Sequence, residues 1–215
     1  MRRLSPAGSV LALILAGLAG FVDAVGFLQL GGIFASFMSG NSTRFGIELS
    51  SGHWLEAGRS AAVIGAFVLG AALGSWAGKG GEPSRRPLVL ALVAALLGAA
   101  GLIGAERPLI SGIALVLAMG AENAVFQRRD GTGIGLTYMT GALVRAGQEV
   151  AEALAGRSGH GWAANLAMWA SLVFGAVLGA ACYGAAGLQS VWIAVVLTCL
   201  LVPAVWAATR RGHLA

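Results

Sequence analysis

Residues 8–29 read GSVLALILAGLAGFVDAVGFLQ. Apart from Ser9, Asp23 and the terminal Gln29, every residue is apolar or glycine. A helix needs about 20 such residues to cross a hydrocarbon core of about 30 Å, so the stretch reads as a membrane span with an acid inside it. Arg2-Arg3 ahead of it, and Val22-Asp23-Ala24 within it, imitate a secretory signal peptide. The surroundings of Asp23 recur later in the chain, so a retained span is expected.

Composition extends that reading to the whole chain. Of 215 residues 57% are hydrophobic and only 11% charged, with 34 glycines and a mean hydropathy of +0.81. Soluble domains carry about 25% charged residues, so this chain cannot cover a water-facing surface, and its first partner is the lipid bilayer. Five further apolar segments lie at about 58–78, 87–105, 108–127, 162–186 and 189–208. Lys79-Gly80-Gly81-Glu82-Pro83, Glu106-Arg107-Pro108 and Arg128-Arg129-Asp130-Gly131 separate them. The expected fold is all-α and polytopic, one membrane domain of six transmembrane helices. Two more segments, 31–50 and 131–155, mix apolar residues with Gly, Ser, Thr, Asn, Arg and Glu. They read as interrupted or re-entrant helices, and irregular backbone at membrane depth is tolerated only where protein buries it or where it lines a cavity.

Lys and Arg set the orientation. With six spans and the N-terminus inside, Arg2, Arg3, Lys79, Arg85, Arg86, Arg128, Arg129, Arg145, Arg157, Arg210 and Arg211 are cytoplasmic, and Arg44, Arg59 and Arg107 are outside. Eight crossings would destroy that bias. The charge of +5 is therefore topogenic, and with a single Lys and no basic run interleaved with aromatics, no nucleic acid partner is expected.

The two halves repeat. Gly20-Phe21-Val22-Asp23-Ala24-Val25 matches Gly120-Ala121-Glu122-Asn123-Ala124-Val125 at an offset of 100, and Met38-Ser39-Gly40 matches Met139-Thr140-Gly141 at 101. The same offset of 101 pairs Arg44 with Arg145, Gly46 with Gly147 and Glu48 with Glu149; Val68 to Gly74 matches Val173 to Gly179 at 105. Each half, 1–106 and 107–215, then holds three spans and one interrupted segment. Three is odd, so the halves face opposite ways, the inverted-repeat plan of many secondary transporters. The glycines Gly70, Gly74, Gly78 and Gly175, Gly179 are spaced for close helix packing, either within one subunit or, as an alternative, along a homodimer seam.

Polar groups within such spans are costly and tend to be functional. Asp23 and Glu122 lie past the midpoint of their spans and are candidates for proton or ion coupling; the competing reading has each merely lock two helices through hydrogen bonds. Ser39 and Thr140 each precede Gly and a helical run, which predicts N-caps and a helix N-terminus able to receive an anion. Asn41, Ser39, Arg44, Asn123, Thr140 and Arg145 are the candidate solute-binding residues. Arg44 with Glu48, and Arg145 with Glu149, are four apart and can close local ion pairs, a structural role more than a binding one. Cys182 and Cys199 read as small core residues, and His53, His160 and His213 are isolated, so no metal is expected. Trp54, Trp162, Trp192 and Trp206 fall near span ends, as interfacial belts do. Neither nucleophile triad, HExxH, P-loop nor dinucleotide fingerprint occurs, so no enzyme and no cofactor are expected.

The elements Ala19-Gly20-Phe21-Val22-Asp23-Ala24-Val25-Gly26-Phe27, Ser36-Phe37-Met38-Ser39-Gly40-Asn41-Ser42-Thr43, Met119-Gly120-Ala121-Glu122-Asn123-Ala124 and Thr137-Tyr138-Met139-Thr140-Gly141 resemble the YoaK-like family of bacterial membrane proteins, the domain of unknown function 1275. The resemblance covers nearly the whole chain. It implies a small polytopic protein of the bacterial inner membrane, of permease type, with no substrate to carry over. Two positions depart from the family pattern: Glu122 stands where Gln is usual, and Ala142 where Asn often follows the second Thr-Gly. The first puts a general proton role in doubt; the second leaves Asn41 as the better binding candidate. The sequence thus points to a proton-coupled secondary transporter of a small polar or anionic solute, with both termini cytoplasmic. An uncoupled channel and a membrane scaffold without transport are the alternatives.

Overall fold

The computed structural model describes residues 5–81, 84–127, 135, 137–156 and 161–214. Arg2, Arg3, Arg128, Arg129, Arg157 and His160, counted above, lie outside these residues, as do Glu82-Pro83 and the expected break at 128–131. Among the described residues the chain is helical: α1 (Pro6–Gln29), α2 (Met38–Ser50), α3 (Trp54–Ala77), α4 (Arg85–Ile103), α5 (Pro108–Glu122), α6 (Met139–Leu154), α7 (Trp162–Ala186) and α8 (Val191–Arg210). Short 3-10 turns follow α3 (Gly78–Gly80), α5 (Asn123–Phe126) and α7 (Gly187–Ser190). Five stretches are long and apolar enough to cross a membrane, the last being the 49-residue run Trp162–Arg210 that holds both α7 and α8. The expected interrupted segments are the short helices α2 and α6, each preceded by irregular chain.

Local chemistry explains the boundaries. Ser5 accepts from the Gly8 amide at 3.2 Å and Pro6 opens α1, a side-chain cap followed by a residue already fixed at helical φ. The helix stops at Gly31 and Gly32, whose φ of +64° and +96° suits residues without a Cβ. The N-caps expected at Ser39 and Thr140 are not formed: α2 starts two residues earlier than such a cap would set, after Phe37, and α6 likewise after Tyr138, with no side-chain cap in either case. Ser39 and Thr140 are exposed residues of the first turn. In α2 the Asp23 carboxylate meets the entering backbone instead, as shown below.

Contacts at the helix ends give each direction. Ser5 donates to the His213 carbonyl, and Arg86 to the Leu214 carbonyl, so both chain ends and the start of α4 share one face, here the terminal face. Tyr183 donates to Gln29, and Gln29 to Ser111, which puts the ends of α1 and α7 beside the start of α5 on the opposite face. Helix α8 therefore returns against α7. Pairwise, α1 runs against α5, α3 against α7 and α4 against α8. Lys79, Arg85, Arg86, Arg210 and Arg211 lie at the terminal face, while Arg44, Arg59 and Arg107 lie at the other.

Glycines weld two parallel helix pairs. Gly70 and Gly74 of α3 lie against Leu117 and Ala121 of α5, and Gly120 lies against Phe67 and Ala71. In the second pair Gly175 and Gly179 of α7 lie against Gly17 and Phe21 of α1, and Gly20 against Leu172 and Ala176. A Cβ at Gly74 would stand 2.6 Å from the Ala121 carbonyl oxygen, so no side chain fits. The two sets correspond residue by residue: 17, 20 and 21 become 117, 120 and 121 at an offset of 100, and 67, 70, 71 and 74 become 172, 175, 176 and 179 at 105. Gly78 departs from the expected ladder. It receives the Arg85 side chain, whose Cγ would be 3.1 Å from an added Cβ, and not another helix backbone. Leu15, Val22, Leu90, Leu97, Leu115 and Met119 fill the interior, whereas Val10, Val68, Leu102 and Phe174 face outward, as lipid-facing residues do.

Candidate functional site

The polar residues of the first half converge on the chain between α1 and α2. Asn41 is fully enclosed; its Oδ1 accepts from the Phe34 amide at 3.0 Å and its Nδ2 donates to the Phe34 carbonyl at 2.8 Å. The side-chain amide thus does for Phe34 what a neighbouring strand would do. Asp23 accepts from the Ser36 amide at 2.7 Å, and the amides of Ala35 and Phe37 also face it. Arg44 donates through Nη1 to the Gly32 carbonyl at 2.9 Å and through Nε to Glu48 at 2.6 Å. Glu48 in turn accepts from Ser60 of α3 at 2.6 Å. Burial pushes the Glu48 carboxyl up, but the hydrogen bonds from Ser60 and Arg44 and the Arg44 charge outweigh it and hold the group below its ordinary range. Phe34 packs against Phe27 with tilted rings and meets Phe37 edge to face.

In the second half the same plan recurs with different groups. Thr137 donates to Asn123 at 3.3 Å, the counterpart of Ser36 and Asp23 at offsets of 101 and 100. Arg145 and Glu149 are joined through Asn165, at 3.5 and 3.3 Å, whereas Arg44 and Glu48 pair directly. Asn165 corresponds to Ser60 at an offset of 105. Ala142, in the place of Asn41, has no amide with which to hold a backbone. Sequence reasoning missed Ser36, Thr137, Ser60 and Asn165, although the repeat offsets pair them and would have found them.

Asp23 and Glu122 do not flank one point. Both lie past the middle of their helices, but α1 and α5 run in opposite directions, so Asp23 is toward the opposite face and Glu122 toward the terminal face. Glu122 is fully enclosed, and among the described residues neither carboxyl oxygen has a hydrogen-bond partner. Its counterpart at an offset of 100 is Val22, also fully enclosed: a position suited to an apolar side chain carries an acid. Helix α5 ends at Glu122 and gives way to the 3-10 turn Asn123–Phe126. Just beyond, Gln127 accepts from Ser75 at 2.8 Å, and Arg85 approaches Gln127 and the Ala124 carbonyl at 3.5 and 3.4 Å. Among the described residues the buried Arg85 Nε has no partner.

Compared with known families, residues 11–204 match the model described as "Protein of unknown function (DUF1275)". The chain belongs to this family. A relative, UPF0700 transmembrane protein RA0705 of Rhizobium meliloti (strain 1021), is 35% identical over 210 residues, covering 98% of this chain and 91% of that protein. No solved structure matches. With five stretches able to cross a bilayer, this DUF1275 chain is a multi-pass membrane protein. Within it Trp54 and Trp162 open α3 and α7, and Trp192 and Trp206 lie near the two ends of α8, where span ends meet the headgroups. Of the two cysteines, Cys182 is half-buried and Cys199 exposed.

Proposed function

We propose that this DUF1275 chain is a proton-coupled secondary transporter of a small polar or anionic solute, crossing the bacterial inner membrane six times as a 3+3 inverted repeat, with both termini cytoplasmic. The opposite directions of α1 and α5, α3 and α7, and α4 and α8, and the recurrence of their glycine contacts at the repeat offsets, support the topology. The basic residues at the terminal face support the orientation. Transport rests above all on Glu122. A carboxyl without a donor inside a membrane protein is costly, and this one sits at a helix break, where inverted-repeat transporters build ion sites. Asp23, one residue beyond the aligned position and within the unbroken helix α1, is its partner in coupling on the opposite side of the midplane. Exposed Ser39, Thr140 and Arg145 are the solute contacts least occupied by other groups; Asn123 and Thr137 bond to each other, and Arg44 and Asn41 reach a solute only if their present bonds open.

One observation favours the scaffold reading: Asp23, Asn41, Arg44 and Glu48 are all engaged in holding residues 31–36 and α2. The two readings part in purified protein in liposomes with an internal pH dye, challenged with organic acids, sugars, amino acids and inorganic anions. Coupled transport predicts a solute-dependent pH change that Glu122→Gln abolishes while the fold is kept. A pH change that persists in Glu122→Gln removes Glu122 from coupling, and solute flux without proton movement makes the protein a channel.

A further inference from the structure

We propose that the bodies which move against each other are not the two repeats but two groups of helices that cross them: α1, α6 and α7 in one, and α2, α3, α4, α5 and α8 in the other. This rests on the transporter reading for its purpose, but its geometry is independent. Each repeat donates one helix to each glycine-welded pair: α1 joins α7, and α3 joins α5. Backbones in contact at successive glycines cannot part without opening an unfilled gap along both helices, since dispersion contacts vanish with small separations. Separating the repeats would break both welds at once.

The packing around the welds assigns the remaining helices. Helix α2 rests on α3 and α6 on α7, while α4 packs broadly on both α5 and α8. The counterpart of the α4–α5 contact would be α8 on α1, and there the helices meet only at an edge, as α1 and α5 do. The seam between the two bodies is therefore thin. Among the described residues it is crossed by hydrogen bonds at both faces. At the opposite face, Asp23 holds the Ser36 amide, Arg44 the Gly32 carbonyl, and Gln29 reaches Ser111 at 3.5 Å. At the terminal face, Thr137 holds Asn123 and Ser5 holds the His213 carbonyl. Ties of this kind, one set at each face, are what alternating exposure has to break in turn, and the Asp23–Ser36 and Asn123–Thr137 ties are counterparts under the repeat.

Spin labels on lipid-facing positions test the assignment without reference to flux. In a chain with Cys182 and Cys199 replaced by Ala, nitroxides at Val10 and Phe174 report within the first body, Val68 and Leu102 within the second, and Phe174 with Val68 across the seam; all four positions are more than half exposed. Pulsed EPR in liposomes at acidic and at alkaline pH should give a single narrow distance within each body and two distances, or a shifted one, across the seam. A single unchanged distance across the seam in both buffers, or two distances within either body, overturns the proposal. Transport with a rigid seam would sink the bodies and spare the transporter; a mobile seam with no flux for any solute would do the reverse.

Discussion

The chain entering α2 and the chain entering α6 occupy equivalent places in the two halves, yet they are held differently. The first is tied by Asn41, Asp23 and Arg44, with Glu48 and Ser60 anchoring the arginine to α3. The second keeps the Thr137–Asn123 tie and a longer relay through Asn165; the amide clamp is gone, because residue 142 is alanine. Between the two halves the helix contacts correspond more closely than the chemistry that pins the entering chain. A packing weld needs only the absence of a side chain, which glycine supplies in both halves, whereas a clamp needs one particular side chain and is lost by a single substitution.

Changes that ignore this difference should have the largest effect. Gly70→Leu and Gly175→Leu each force a side chain into a backbone contact, and overpacking costs about 1–3 kcal/mol even where neighbours can shift. Both should abolish monodisperse folding in detergent, equally in the two halves; tolerance of either would show that the weld is not needed. Asn41→Ala comes next. It leaves the Phe34 amide and carbonyl without partners, each worth about 1–3 kcal/mol when buried, and should lower the thermal midpoint clearly, while its counterpart, Ala142→Gly, should cost under about 1 kcal/mol. Equal losses would erase the contrast.

Acid should act between these extremes. The Glu48 carboxyl is held below its ordinary range, so its contribution is complete above the unfolded-state value and is lost as pH falls through the lowered folded-state value. Stability should drop there in the wild type and less in Glu48→Gln; identical acid profiles would remove Glu48 from the anchor. Smallest of all, Ala142→Asn gives the second half the residue that the first half carries at position 41 and should change the thermal midpoint by less than Asn41→Ala, upward if the new amide finds the backbone that Asn41 finds in the first half. A loss as large as that of Asn41→Ala would mean the second segment runs on a different path.

Much of this was legible in the sequence, for definable reasons. Apolar length marks helices α1, α3, α4, α5, α7 and α8 to within about five residues at either end, because the bilayer sets that length. The offsets of 100, 101 and 105 reappear as contacts because small residues at a weld leave little freedom. The caps expected at Ser39 and Thr140 failed because α2 and α6 begin at the preceding Met38 and Met139, which puts both residues inside the first turn; ahead of α2 the entering backbone is met by Asp23, 16 residues before Ser39, and such a tertiary contact leaves no local signature. Asn41 read as a binding residue because its amide is polar inside a membrane protein; its partner is the backbone of Phe34, invisible to side-chain patterns. Arg85 over Gly78 was hidden for the same reason, as the glycine ladder looks alike whether it receives a helix or a side chain.

Opposed halves are the centre of this account, and sidedness tests them directly. In the chain with both cysteines replaced, single cysteines at His53, Glu106, Lys79 and Arg211, all exposed residues near helix ends, can be probed with a membrane-impermeant maleimide on intact cells and after permeabilisation. The account predicts labelling of His53→Cys and Glu106→Cys in intact cells, and of Lys79→Cys and Arg211→Cys only once the membrane is opened. Labelling of His53→Cys and Lys79→Cys from the same side would place both ends of α3 on one face and contradict it.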